Sequence, residues 1–215
     1  MKGILAVALA VTTVMLLSVT LAVAGETTAP LTSANAQKQE TTFGDLTADA
    51  LCKAAGTAIA LVPAVSFKSG TIPAGPVTKA KVKGLLTKPS EVWAVSRLSG
   101  AQLRQALERS VSRAPMPNAG FLQVSGISLT YNPKAPRDER VISLLASGSE
   151  VEPDAKYDVA MPLSLAKGGS GYFQVFEEGQ IVTTGSDEMA DLIVAYVDKK
   201  GTVSYTGQGR INVGE

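Results

Sequence analysis

Residues 167–172, Lys-Gly-Gly-Ser-Gly-Tyr, have the composition of a binding loop. Three glycines in four positions make a bare turn, of the kind used where φ must be positive or where something must lie close against the backbone. The turn follows residues 157–162, which read as a short buried strand. A tight strand-ending turn that binds nothing would have the same composition, so the stretch alone leaves both a ligand wall and a plain turn open. It lacks the lysine that follows in a phosphate-binding P-loop and the spacing of a dinucleotide fingerprint.

Few other chemistries are available to these residues. The 215 residues contain no histidine, the usual general base near neutral pH and the commonest transition-metal ligand. A Ser-His-Asp triad and most zinc, iron and manganese hydrolase sites are therefore ruled out for this chain, and no cofactor is expected. Catalysis would have to come from carboxylates, lysine or tyrosine. Cys52 is the only cysteine, so there is no intrachain disulfide, and on a helix it reads as a small buried thiol rather than a nucleophile. Twenty basic against 19 acidic residues give a net charge of +1 with no basic run, which argues against nucleic acid as a partner.

The positioning elements follow from the pattern along the chain. Lys2 precedes an almost unbroken apolar run over 4–23, and Ala22-Val-Ala24 is a small-x-small cleavage site, so residues 1–24 read as an export signal. An extracytoplasmic location, periplasmic or secreted, follows. The run is long enough that an uncleaved segment would make a membrane anchor. Residues 25–42, rich in Thr, Ala, Ser and Gln, read as a disordered spacer, with Ala34-Asn-Ala36 as a later cleavage site. A helix closed by Gly56 is expected over 47–55, a buried strand over 59–62, an irregular loop over 63–76, and a short helix capped by Thr78. A strand over 91–98 carries the only tryptophan. Leu103, Leu107 and Val111 mark an amphipathic helix over 100–113, with Arg104, Glu108 and Arg109 on its solvated face. Strands are expected over 120–131, 141–145, 157–162 and 181–184. A last helix is expected with Ser186 as cap, Asp187 and Glu188 in its first turn, and Lys199, Lys200 and Gly201 at its end. A terminal strand or tail covers 207–214. This interleaving predicts an α/β (α+β) fold, a single domain over 43–213 with a mixed β-sheet and packed helices.

Several stretches, taken in order, resemble one family. They are Phe43-Gly-Asp-Leu-Thr-Ala-Asp-Ala50, Ile72-Pro-Ala-Gly-Pro-Val-Thr78, the run from Leu98-Ser-Gly to Val111, Gly120-Phe-Leu-Gln-Val-Ser-Gly126, Tyr157-Asp-Val-Ala-Met-Pro162, Lys167-Gly-Gly-Ser-Gly-Tyr172 and Gly209-Arg-Ile211. Together they resemble the C-terminal, substrate-binding domain of the 5'-nucleotidases. In that family a separate N-terminal metallophosphoesterase domain brings two metal ions and a catalytic histidine.

The resemblance implies a nucleoside site at Phe121, which would stack on the base, and at Gly168, Gly169, Ser170 and Tyr172 of the turn. Ser164 stands where the family has a second aromatic, and Ser170 where it has an aspartate. Lys68 is the only cation where it has an arginine, Asp45 replaces an asparagine, and Lys88-Pro89 replaces a Pro-Phe pair. The departures fall at expected ligand contacts, while the scaffold positions hold. The expected function is thus a non-catalytic ligand-binding module with a degenerate nucleoside pocket. Two alternatives stay open: the accessory subunit of a separately encoded metallophosphoesterase chain, and a structural or interaction module.

Overall fold

The computed structural model describes residues 23–215, so all but the last two residues of the expected export signal lie outside the described residues. The elements in chain order are β1 (Val23–Thr27), β2 (Leu31–Thr32), α1 (Thr42–Ala55), β3 (Ile59–Pro63), β4 (Thr71–Ile72), β5 (Gly75–Thr78), α2 (Lys79–Leu85), β6 (Trp93–Ser99) and α3 (Gly100–Val111). Then come β7 (Leu122–Ser125), β8 (Ile127–Tyr131), β9 (Val141–Ala146), β10 (Ser149–Glu150), β11 (Lys156–Pro162), α4 (Leu163–Ala166), β12 (Ile181–Thr184), α5 (Met189–Lys200), β13 (Thr202–Val203) and β14 (Ile211–Val213).

The centre is a five-stranded sheet of order β12-β6-β11-β3-β7, in which β3 and β11 run parallel and the other pairings are antiparallel. Every residue of β3 is buried, the pattern of a strand covered on both faces. Helix α1 packs on this sheet through Phe43, Leu46, Ala50 and Leu51, and α5 packs on α1. A four-stranded sheet, β10-β9-β8-β14, meets the rest through α3. The mixed α/β class expected from the sequence is the one observed. The irregular loop expected over 63–76 instead contains β4 and the start of β5, whose pairing partners, β2 and β1, lie in the segment read as a spacer.

That segment is ordered. β1 lies between β5 and β13, Leu31 is fully buried, and Ala36 is buried in the turn that follows. Gln123 explains why a polar stretch can be fixed in this way. Its side chain is buried on β7, and its Oε1 accepts from the Thr41 amide and hydroxyl at 2.8 and 3.1 Å. Its Nε2 donates to the carbonyls of Ala36 and Gln39 at 3.0 and 2.8 Å. One amide thus satisfies four polar groups and ties residues 36–41 to the central sheet. Gly44 must be glycine for Gln123 to pass, since a Cβ there would lie 2.3 Å from Oε1. Cleavage at Ala34-Asn-Ala36 would remove β1 and β2 from their sheets, so the site lies inside the folded part rather than in a spacer.

Two helices also depart from expectation. Helix α5 starts at Met189 behind Glu188, not behind Ser186, and no side chain caps it. Its first free amides instead reach backbone, Met189 N to Glu91 O and Ala190 N to Pro89 O. On α3, Glu108 is buried rather than solvated. Its carboxylate accepts from the amides of Arg140 and Val141 at 3.0 and 2.8 Å, while Arg140 Nη1 returns bonds to the carbonyls of Val111 and Ala114. This exchange fixes the start of β9 to the end of α3.

The C-terminal tail is held by charge. Arg210 makes two bonds to the Asp49 carboxylate, at 2.8 and 2.9 Å, and one to the Val124 carbonyl at 2.7 Å. Glu40 accepts from the amides of Gln208, Arg210 and Ile211. Ser125 and Tyr205 also donate to Asp49, and although burial opposes its charge, the bonds from Arg210 and Ser125 hold its carboxyl below the usual range. One turn earlier on α1, Asp45 is fully buried and no donor reaches either oxygen. Burial, aided by the neighbouring Glu40 carboxylate, pushes it up to about 8, although Arg210 Nε, 3.7 Å away, pulls the other way.

Two outcomes are expected. Between the ordinary carboxyl value of 3.8 and about 8 the unfolded chain ionises Asp45 while the folded chain keeps it protonated. Stability contributed by this group is therefore present at acid pH and lost as pH rises through that window. Urea unfolding should show wild type losing on the order of a few kcal/mol across it and Asp45→Asn losing far less. Equal losses in both proteins would mean that Asp45 is ionised in the fold. Gln123→Ala, which strands buried polar groups worth about 1–3 kcal/mol each, should expose residues 25–41 to proteolysis that wild type resists. Equal resistance in the variant would show that other contacts hold the segment.

Candidate functional site

The turn expected to organise the site follows α4 directly. Gly168, Ser170 and Gly171 all have positive φ, at 82°, 57° and 83°. What lies close against the glycines is the protein's own chain. A Cβ on Gly168 would lie 2.7 Å from the Phe173 Cα, and one on Gly169 would lie 2.5 Å from the Ser164 carbonyl oxygen. Ser170 is the one non-glycine residue of the three, a strained conformation for a serine.

Phe121 and the turn do meet, although about 50 positions separate them. A Cβ on Gly120 would lie 2.9 Å from the Ser170 carbonyl oxygen, and the Tyr172 hydroxyl donates to the Gly120 carbonyl at 2.6 Å. They meet by sealing. Phe121 is only 2% exposed and Tyr172 is fully buried, so neither ring offers a face to a ligand. Phe121 is drawn inward by its backbone: its amide donates to Asn118 O, and its carbonyl accepts from Ala64 N at 2.7 Å, which registers the start of β7 against β3. Tyr172 stacks on Phe176 with ring centroids 5.2 Å apart and lies under the Arg109 guanidinium. Burial pushes its hydroxyl well above the ordinary tyrosine value, so it remains a neutral donor. The expected base-stacking role of Phe121 is thus replaced by a structural one, and Tyr172 is the pin that closes the turn onto β7.

Ser164 is exposed, and its amide donates to Glu91 Oε1 at 3.0 Å. Lys68 is exposed in the loop before β4. Its backbone bonds Leu85 and Ser33, and none of its hydrogen bonds involves the turn or Phe121. Gly169 and Ser170 are half-buried beside Ser164, and Gly168 is buried beneath Phe173. Gly169 therefore lies against Ser164, with Ser170 next to it in the chain, and Lys68 makes no hydrogen bond to either serine. Cys52 is half-buried, and burial pushes its thiol up, as expected for an unreactive cysteine.

A groove of about 740 Å³ lies elsewhere, between the C-terminal halves of α1 and α5. Asp49, Thr57 and Ser125 line it with Tyr196, while Lys53, Lys199 and Lys200 rim it. The carboxylate in its floor is already saturated by Arg210, Ser125 and Tyr205. The sequence pattern marks Lys199 and Lys200 only as helix-end charges and does not single out Lys53, and no spacing rule links the ends of two helices so far apart in the chain. Among the described residues no group of three or more His, Cys, Asp or Glu could hold a metal ion.

These contacts predict that Phe121→Ala loses about 3–5 kcal/mol of unfolding free energy, the range of a fully buried ring. Tyr172→Phe, which strands the Gly120 carbonyl, should lose about 1–3 kcal/mol. Urea titrations measure both, and losses near zero would place these rings outside the core.

The family model described as "5'-nucleotidase, C-terminal domain" matches residues 21–178. A snake venom 5'-nucleotidase from Naja atra is 30% identical over 123 residues, 54% of this chain and 23% of its own length. The human 5'-nucleotidase is 29% identical over the same share of this chain, which spans 21% of it. The chain thus spans about a fifth of the curated relatives it matches. Among solved structures, a 5'-nucleotidase precursor from Thermus thermophilus superposes with a TM-score of 0.81 at 29% identity, covering 89% of this chain and 39% of the other. The NAD nucleotidase of Haemophilus influenzae shares the fold at a TM-score of 0.77 and 14% identity. The match begins at residue 21, ahead of β1, and so includes the segment that the sequence alone assigned to a spacer. With most of its length inside that match, this chain belongs to the 5'-nucleotidase C-terminal domain family.

Proposed function

We propose that this chain is a non-catalytic ligand-binding module that takes a nucleoside-like small molecule at Ser164, Gly169 and Ser170. Family membership supports the ligand class, since the relatives named above are nucleotidases. The observation that carries the non-catalytic reading is the absence of histidine from all 215 residues. Metal-assisted phosphate ester hydrolysis needs a bound metal to activate water and stabilise the developing charge, and this chain offers no such ligand set among its described residues. The nucleoside site is degenerate: Ser170 offers a neutral hydroxyl where the family has a carboxylate, and Lys68, a point charge, lies apart from the turn. Export fits the apolar run over 4–23, with cleavage after Ala24 leaving the pairings of Gly25, Glu26 and Thr27 with β5 in place. If that segment stays uncleaved, it anchors the module to a membrane.

A second reading starts from the same family membership. In it the chain is the substrate-binding subunit of a nucleotidase whose metallophosphoesterase part is a separate chain. The two readings part on one measurement. The purified protein should bind adenosine or AMP by calorimetry and release no phosphate from AMP, with or without manganese. Phosphate release that a variant of the Ser164–Ser170 surface abolishes would overturn the non-catalytic reading. Release that appears only on adding a metallophosphoesterase chain would favour the second.

A further inference from the structure

The groove between α1 and α5 does not end at its lysine rim. A second cavity, of about 360 Å³, shares Lys53, Tyr196 and Lys199 with the groove of about 740 Å³ described above, so the two adjoin at those three side chains. They differ in chemistry. The first part is walled by Asp49, Thr57 and Ser125, whereas Ala50, Ala54, Leu192 and Ala195 make the second part mostly apolar.

The charge of the combined groove is unbalanced. Lys53, Lys199 and Lys200 form no ion pair with another described residue. Asp49 is the only carboxylate of the first part, and both its oxygens are taken, Oδ1 by Arg210 and Ser125 and Oδ2 by Arg210 and Tyr205. In the second part Asp191 is paired with Lys79, which leaves Asp187 alone against three ammonium groups. The whole chain carries only +1, so this surplus is concentrated here, and a cleft with low-dielectric walls focuses its field. The neutral donors are spent: Ser125 donates to Asp49 and the Thr57 hydroxyl to the Ile59 carbonyl at 2.9 Å. The strong donors left open are the ammonium groups. One of them is held against the aromatic wall, with Lys200 Nζ 5.7 Å from the Tyr196 ring centroid. Tyr196 is bonded in turn to the Tyr205 hydroxyl at 3.4 Å, which ties the side chain common to both parts to the Arg210–Asp49 pair.

A lysine in the last turn of a helix complements the helix dipole without any ligand. That accounts for each lysine on its own helix. It does not account for three of them lining one cavity with an apolar extension beside them. We propose that this groove binds an organic anion, its charged group among Lys53, Lys199 and Lys200 and its apolar part along Leu192 and Ala195. The ligand class is a small phosphate or carboxylate carrying an apolar tail. The groove shares no residue with the glycine turn, and the inference is independent of the ligand proposed there.

The test is titration of the purified protein with hexyl phosphate and with inorganic phosphate, followed by calorimetry and amide chemical shifts. Wild type should bind hexyl phosphate with shifts centred on residues 49–57 and 192–200. It should bind it at least about tenfold more tightly than inorganic phosphate, the effect of burying two methylenes. Replacing Lys53→Gln and Lys199→Gln together should weaken hexyl phosphate about 3- to 30-fold, while Lys53→Arg with Lys199→Arg should retain it. Both side chains are exposed, so all these variants should fold as wild type does. No binding of hexyl phosphate by wild type, equal affinity for the two phosphates, or equal affinity in the glutamine variant would each overturn the inference.

Discussion

The bidentate bond between Arg210 and Asp49 holds together parts of the chain that are far apart in sequence. One guanidinium joins the C-terminal tail to α1 through Asp49 and to β7 through the Val124 carbonyl. Glu40, at the end of the N-terminal segment, grips the same tail by three amides. The two carboxyls one turn apart on α1 show how much donors matter at a buried site. Asp49, with bonds from Arg210, Ser125 and Tyr205, stays ionised, whereas Asp45, with none, is pushed towards the neutral form. Pairing with Arg210 offsets the partial burial of Asp49, and a charge on the fully buried Asp45 has no hydrogen-bond donor to stabilise it.

The fold was legible in the sequence where a regular period was present. The α3 stripe of Leu103, Leu107 and Val111, the all-apolar β3 and the Gly56 and Gly201 helix ends all appear where the residue pattern puts them. The pattern failed where long-range polar bonds decide the structure. Residues 25–42 have the composition of a spacer and are ordered because β5, β13 and Gln123 supply partners from distant parts of the chain. Glu108 looks like a solvent-facing residue on a helical wheel, but β9 starts above it and takes it inside. A local reading has no access to such partners.

The family resemblance groups the Gly120-Phe121 stretch with the glycine turn, and the Tyr172–Gly120 bond is where the two stretches meet. It could not say on which side of the junction each ring lies. Phe121 leads directly into β7 and is buried beside it, and the adjacent Tyr172 is drawn in by its hydroxyl bond and by Phe176. Phe173, with no partner in any motif, carried no signal in the sequence for its exposure.

The handedness of the turn ties its structural and binding readings together. Three positive-φ residues in four, one of them a serine, fold the chain back so tightly that Phe173 stands on Gly168. Left-handed backbone at a serine carries strain, which surrounding contacts such as the Tyr172–Gly120 bond hold in place. Tyr172 is fixed inward by its bond to Gly120, while its neighbour Phe173 is exposed. The plain tight turn and the ligand wall that the sequence left as alternatives are thus compatible. The same closed turn that seals one ring in the core presents the next to solvent.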